Sequence, residues 1–155
     1  MFQKIKIKDH ITAYIRPTKQ FKTVTFLAQW QSEYTGEKAA NRAVLSNVLQ
    51  EATERYPSYR QLKKEFDLLY GTSMFTDVQM KGNIHRFQLM SETIHENFAE
   101  PGHFDAWWRL MEEMVMRPLV KEGQFDEKIV RREKRSIIER KEAVYEYKSR
   151  FARKR

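Results

Sequence analysis

Residues 38–53, KAANRAVLSNVLQEAT, are the stretch on which the predicted fold is centred. Apolar side chains recur through it at intervals of three and four residues, which is typical of a helix with one buried face. Glycine at position 36 follows Thr35, which offers a start signal, and Glu37 falls near the positive end of the helix dipole. We therefore predict an amphipathic helix. Its apolar stripe consists of Ala40, Val44, Leu45, Val48, Leu49 and Ala52.

Ala43 and Asn47 are four residues apart, so a helix projects both side chains from one face beside the apolar stripe. Two histidines at this spacing can bind one zinc ion. Alanine has no ligand atom, and an asparagine amide is a poor ligand for zinc. The stretch thus has the geometry of a metal-binding helix without the side chains that bind a metal.

The composition indicates a folded protein. The chain has 155 residues, 41% of them hydrophobic and 13% aromatic, which is enough for one domain with its own core. No apolar run is long enough to span a membrane, and the start, MFQKIKIKDH, alternates and lacks the apolar region of a signal peptide. Without cysteine there is no disulfide, thiolate metal site or cysteine nucleophile. We expect a cytoplasmic location and no membrane partner.

The net charge of +8 is concentrated in the last segment. Residues 128–155 contain twelve Lys and Arg against four Glu, whereas residues 1–127 contain seventeen of each sign. A basic helix of this kind can bind nucleic acid. A solvated helix face is the commoner explanation, and the aromatic and basic strand pattern of an RNA-binding sheet is missing from the sequence. We therefore expect a partner other than nucleic acid.

The order of the predicted elements is β-β-β-α-α-β-β-α-α. The four prolines and the five glycines lie between these elements or at their ends, and period-two and period-3.6 patterns distinguish strands from helices. This order predicts one α+β domain over residues 1–155, in which an antiparallel sheet of about five strands is covered on one face by helices. The predicted strands are 2–8, 11–15, 21–31, 72–80 and 83–90; the helices are 38–53, 58–70, 104–116 and 126–152; residues 92–103 are predicted to be a loop.

Several short motifs along the chain together resemble the N-terminal domain of the insulinase and mitochondrial-processing-peptidase family, the zinc peptidases with an inverted H-x-x-E-H motif. Within this family, the chain resembles the bacterial non-catalytic YmfF-type proteins that are linked to modification of elongation factor P. The motifs are Phe21-Lys22-Thr23, Arg55-Tyr56-Pro57-Ser58, Leu68-Leu69-Tyr70-Gly71, Arg117-Pro118-Leu119-Val120, and Phe125-Asp126 followed by Glu133-Lys134.

The resemblance places the family's first histidine at Ala43, its catalytic glutamate at Ser46 and its second histidine at Asn47. It places the distal glutamate ligand at Arg140, with Glu139 one residue short. Serine provides no general base near neutral pH, and an arginine repels a metal cation. The resemblance therefore implies a catalytically inactive, peptidase-like domain that uses no zinc cofactor.

The family also suggests what such a domain binds. Its members assemble as two halves around a peptide, so the resemblance implies a protein or peptide partner, such as a homologous peptidase subunit or a second copy of this chain. In active members an extended substrate adds to a strand edge. The matching contacts here are Met74, Phe75, Thr76 and Asp77. Family members are longer, and this chain ends within a predicted helix, so we expect a fragment of a longer protein.

The sequence also allows two other kinds of site. An active zinc peptidase would need a divergent ligand set, such as Glu139 with histidines from the predicted loop. A separate metal site would draw on three histidines and three glutamates, but their spacing matches no closed zinc pattern. These residues are His85, His95, His103, Glu92, Glu96 and Glu100. The adjacent Trp107 and Trp108 are predicted to point apart, one into the core and one toward a partner.

Overall fold

A computed structural model describes residues 1–146 of the chain. The fold is α+β, as predicted, with antiparallel strand pairing throughout the described residues. No helix within these residues is both long enough and apolar enough to cross a membrane. The elements are β1 (Gln3–Lys8), β2 (Ile11–Ile15), β3 (Thr23–Glu33), α1 (Gly36–Val48), α2 (Tyr59–Leu68), β4 (Ser73–Lys81), β5 (Ile84–Ile94), a 3₁₀ turn (Glu96–Phe98), α3 (His103–Met116), β6 (Val120–Lys121), β7 (Gln124–Phe125) and α4 (Glu127–Glu146).

A three-stranded sheet in the order β3-β5-β4 forms the centre of the fold. Successive side chains of a strand point to opposite faces, and in this sheet the helices cover one face. Leu89 of β5 packs there against Trp107 and Met111 of α3, with Val24 and Phe26 of β3 beside them. A second cluster joins α2 to α3 through Leu62, Phe66, Leu110 and Met114.

The five predicted strands are all present, but they do not form one sheet of about five strands. β1 and β2 pair only with each other among the described residues, and every residue of the two strands except Ala13 is more than a third exposed. The two strands hydrogen-bond to each other along one edge each, and Pro17, which has no backbone N–H to donate, follows them before β3 begins. β6 and β7 form a further two-stranded sheet that the sequence did not predict.

Helix α1 ends at Val48, five residues before the predicted boundary at residue 53. The residues that follow α1 contact the segment that follows α3. Thr53 forms a β-bridge with Pro118, and the carbonyl oxygen of Ala52 accepts a hydrogen bond of 3.3 Å from the backbone N–H of Leu119. These backbone bonds replace the last helical turn, although the apolar spacing continues through it.

Strand β5 runs to Ile94, into the segment that we predicted to be a loop. Polar side chains at its end are buried and paired: Ser91 accepts a hydrogen bond of 2.8 Å from the indole N–H of Trp107, and Thr93 lies 2.8 Å from His103 Nε2. Hydrogen bonding thus allows polar residues to occupy strand positions inside the domain. The end of the predicted last helix, residues 147–152, lies outside the described residues.

The two adjacent tryptophans differ in burial, as predicted, but their rings do not point apart: their centroids are 6.4 Å apart, and Trp108 also meets Phe26 edge-on, at 5.2 Å. Trp107 is 1% exposed, and its ring meets Phe26 edge-on with the centroids 6.5 Å apart. Trp108 is 46% exposed. Adjacent positions on a helix face directions about 100° apart, so only one of the two rings can enter the core.

Candidate functional site

A groove of about 300 Å³ lies between α1 and α4. Two of the four positions that the resemblance assigns to a peptidase motif line this groove. Asn47 from α1 and Arg140 from α4 both line it. Because α1 packs against α4, residues that are far apart in the sequence meet there. The other lining residues are Gln50, Glu51, Tyr59, Glu133 and Ser136.

Hydrogen bonds and ion pairs connect the two walls of the groove. Asn47 Nδ2 donates to Glu133 Oε2 at 3.0 Å. Arg132 Nε lies 2.9 Å from Glu133 Oε1, and the same guanidinium forms an ion pair with Glu51. The hydrogen bonds with Glu133 and Glu51 raise the pKa of Arg132 above its ordinary value, which keeps it charged. Both carboxylates of the groove are therefore already engaged.

Ala43 and Ser46 do not line this groove. Ser46 is buried, and its hydroxyl donates to the carbonyl oxygen of Ala43 at 2.8 Å within the helix. Its own carbonyl oxygen accepts hydrogen bonds from Gln50 Nε2 at 3.0 Å and from the hydroxyl of Thr76 on β4. Ser46 thus helps to join α1 to the sheet, and the structure brings only Asn47 and Arg140 of the four motif positions to the groove.

The histidines considered as metal ligands lie in separate hydrogen-bonding environments. His85 Nδ1 is 2.8 Å from Arg42 Nη1. His95 Nδ1 accepts from the backbone N–H of Asn97 at 3.1 Å, and His103 bonds to Thr93. In residues 1–146, no group of three or more His, Cys, Asp or Glu side chains could hold a metal ion. The divergent ligand set of Glu139 with histidines is therefore not assembled among these residues.

The four candidate substrate contacts divide between the two faces of β4. Met74 packs into both core clusters, and Thr76 is buried against α1. Phe75, 45% exposed, and Asp77 lie on the opposite face. Among the described residues β4 pairs with β5 alone, so its other edge has no strand partner there. Contacts of these side chains with a substrate remain a prediction.

A larger cavity, of about 480 Å³, lies beside α3, and the proline-containing motifs at residues 55–58 and 117–120 meet there. The buried Glu113 accepts a hydrogen bond of 3.0 Å from the backbone N–H of Arg55, and one nitrogen of Arg117 lies 3.8 Å from its other oxygen. The carbonyl oxygen of Arg117 in turn accepts from the backbone N–H of Glu54 at 3.0 Å. These bonds hold the two motifs, which are some sixty residues apart in the sequence, against each other.

Sequence reasoning missed the role of Glu133, although it quoted this residue within a motif. A signal was present in the spacing. Glu133, Ser136 and Arg140 are three, then four residues apart, which places them on one face of α4. The opposing partner, Asn47, could not be read from any local pattern because it is 86 residues away.

No family model matches the sequence. The chain is 31% identical over 144 residues to the probable inactive metalloprotease YmfF of Bacillus subtilis (strain 168), and the alignment covers 92% of this chain and 34% of that protein. This similarity supports a YmfF-like family for the chain. A crystal structure of a conserved protein from Enterococcus faecalis V583 matches the fold with a TM-score of 0.90 at 23% identity, over 97% of this chain and 36% of that one. The chain spans about a third of the length of each of these two proteins.

Proposed function

We propose that this chain is a catalytically inactive, zinc-peptidase-like domain of a YmfF-like protein, and that it acts as a non-catalytic subunit or as a scaffold that binds a peptide or protein. The observation that carries the proposal is the 3.0 Å hydrogen bond between Asn47 and Glu133. At this position a metal-binding helix would face an acidic ligand. A neutral amide bonded to a carboxylate joins the helices instead, and it needs no metal.

The chemistry of the groove supports an inactive domain. Peptide hydrolysis by a zinc peptidase needs a metal-bound water and a general base near it. Asn47, Gln50, Ser136 and Tyr59 supply neutral polar groups only, and both glutamates are bonded to Arg132. Two like unit charges 4 Å apart near a protein surface repel each other by about 4 kcal/mol, so the guanidinium of Arg140 opposes a divalent cation in the groove.

The comparison with YmfF supports the same proposal, since that protein is named a probable inactive metalloprotease. We further propose that the chain belongs with the insulinase and mitochondrial-processing-peptidase family, with Ala43, Ser46, Asn47 and Arg140 at the degenerate motif positions. A homologous peptidase subunit or a second copy of the chain is the partner that we propose. The cytoplasmic location stays a prediction.

Zinc content and peptide cleavage test the proposal together. The purified chain is incubated with equimolar zinc, freed of unbound metal and analysed by mass spectrometry, and it is then assayed at high concentration against an unstructured fluorogenic peptide. We expect much less than one zinc per chain and no chelator-sensitive cleavage. The matched control restores the motif with Ala43→His, Ser46→Glu, Asn47→His and Arg140→Glu, and it is expected to retain zinc. One tightly held zinc in the natural chain, with cleavage that a chelator abolishes, would overturn the proposal.

A further inference from the structure

Arg140 is the one charged group lining the groove between α1 and α4 that has no oppositely charged partner among the described residues. Its Nε donates a hydrogen bond of 3.3 Å to the carbonyl oxygen of Ser136, one helical turn earlier. Among the side chains that the structure describes, those of residues 1–143, no carboxylate lies within ion-pair distance of it. A guanidinium carries five N–H donors in a fixed planar fork, so most of its hydrogen-bonding capacity is unused in the described structure.

The two carboxylates of the same groove are occupied by other donors. Glu133 accepts from Asn47 with one oxygen and from Arg132 with the other. Glu51 forms its ion pair with Arg132 and is largely covered, with a side chain that is 18% exposed. Movement of Arg140 onto either carboxylate would compete with an existing charge-assisted contact. The arrangement therefore leaves the cation of Arg140 facing the groove.

We propose that Arg140 binds a carboxylate of the peptide or protein partner, either a C-terminal carboxylate or the side chain of an acidic residue. This inference rests on the proposed function, because it assigns the chemistry of the partner at the same groove. A guanidinium can bind a carboxylate through two parallel N–H···O bonds. Ser136, Tyr59 and Asn47 also line the groove and can donate further hydrogen bonds. The net charge of +8 favours the approach of an acidic segment over a basic one.

Three peptides that carry an uncharged BODIPY dye test this directly, and they share one uncharged sequence apart from the groups named below. The first has a free C-terminus, the second has an amidated C-terminus with one internal glutamate, and the third is amidated with glutamine at that place. Fluorescence anisotropy measures their Kd values at low salt. We expect the first or the second peptide to bind about tenfold more tightly than the third, as a charge-assisted hydrogen bond implies. The peptide that binds identifies the source of the carboxylate. Equal affinity for all three, or no binding at millimolar concentration, overturns the inference.

Variants on α4 connect the preference to one side chain. Arg140→Gln should reduce to about one the ratio between the Kd of the third peptide and the Kd of the peptide that binds more tightly. Arg135→Gln should leave this ratio unchanged, since Arg135 is exposed on the same helix and does not line the groove. Circular dichroism checks that both variants fold. A preference that survives Arg140→Gln also overturns the inference. Zinc is measured on the same samples: a chain that holds zinc and cleaves peptide contradicts the proposed function, whereas a zinc-free chain without the preference contradicts this inference alone.

Discussion

Asn47 on α1 donates a hydrogen bond of 3.0 Å to Glu133 on α4, across 86 residues of sequence. The same carboxylate is held by Arg132, which also pairs with Glu51, three residues beyond the end of α1. These contacts therefore connect α4 to α1 and to the segment that follows it. The groove contributes to the stability of the domain, and substitutions there should be detected in unfolding experiments.

Asn47→Ala should lower the free energy of unfolding by about 1–2 kcal/mol, because it removes the hydrogen bond and leaves one oxygen of the half-buried Glu133 without its partner. Urea unfolding followed by circular dichroism measures the change, and the m-value should not change. Asn41→Ala is the matched control, since Asn41 is exposed on the same helix. It should remain within about 0.5 kcal/mol of the parent. Equal losses in the two variants would show that the bond to Glu133 contributes nothing.

Glu113→Ala should destabilise the domain by about 2–3 kcal/mol. Glu113 is 8% exposed, and its loss leaves the backbone N–H of Arg55 without its acceptor in a part-buried hydrogen bond. Glu113→Gln keeps an acceptor oxygen, so it should lose less. Glu112→Ala, at an exposed position of the same helix, should change stability little. The urea midpoints of the three variants test this order, and a Glu112 variant as unstable as the Glu113 variant would contradict it.

The elements of this fold were predictable where one local signal decided them. β-Branched and aromatic residues identified β3, and Ser58 identified the start of α2, where its hydroxyl accepts from the backbone N–H of Gln61. The end of α1 was not predictable, because Thr53 and Pro118 form their bridge across a long separation in sequence. The division of the strands between sheets likewise depends on which edges meet, and periodicity does not contain this information.

The candidate site was predicted in part. The positions of Asn47 and Arg140 came from the resemblance, and the structure places both at one groove. The inward position of Ser46 and the pairing of Glu133 with Arg132 depend on how α1 rotates against α4, which the apolar stripe fixes only to within a helix face. The resemblance could therefore indicate which positions to compare with a peptidase motif, but not which contacts their side chains make.

Trp107→Phe should lower the free energy of unfolding by about 2–3 kcal/mol. Trp107 is 1% exposed, and phenylalanine both leaves a cavity and removes the hydrogen bond of 2.8 Å to Ser91. The same substitution at Trp108, which is 46% exposed, should cost less than about 1 kcal/mol. Thermal and urea unfolding of the pair checks the difference. Equal losses in the free energy of unfolding of the two variants would contradict the structure, in which Trp107 is buried and Trp108 is half exposed.

His85 should make the stability of the domain depend on pH. It is 5% exposed, and Arg42 can only donate, so the 2.8 Å contact leaves His85 Nδ1 as the acceptor of a neutral ring. Burial, and after it the positive charge of Arg42, lowers the pKa of His85 from its ordinary value of 6.5. The unfolded chain therefore binds a proton at a higher pH than the folded chain does. The contribution of the neutral His85 ring to the free energy of unfolding is therefore complete above pH 6.5. It is lost as the pH falls below this value towards the pKa of the folded state.

The free energy of unfolding, measured by urea unfolding between pH 7.5 and pH 5, should therefore decrease as the pH decreases. His85 should contribute at most about 1.4 kcal/mol for each pH unit to this decrease. His85→Gln keeps an acceptor for Arg42 but has no proton to gain, so the fall should be smaller in this variant. His10→Asn is the matched control, because His10 is exposed in the turn between β1 and β2 and asparagine tolerates its positive φ of 67°. This control should keep the slope of the parent. A slope that is unchanged in His85→Gln, or removed in His10→Asn, would contradict the assignment of the pH dependence to the buried ring.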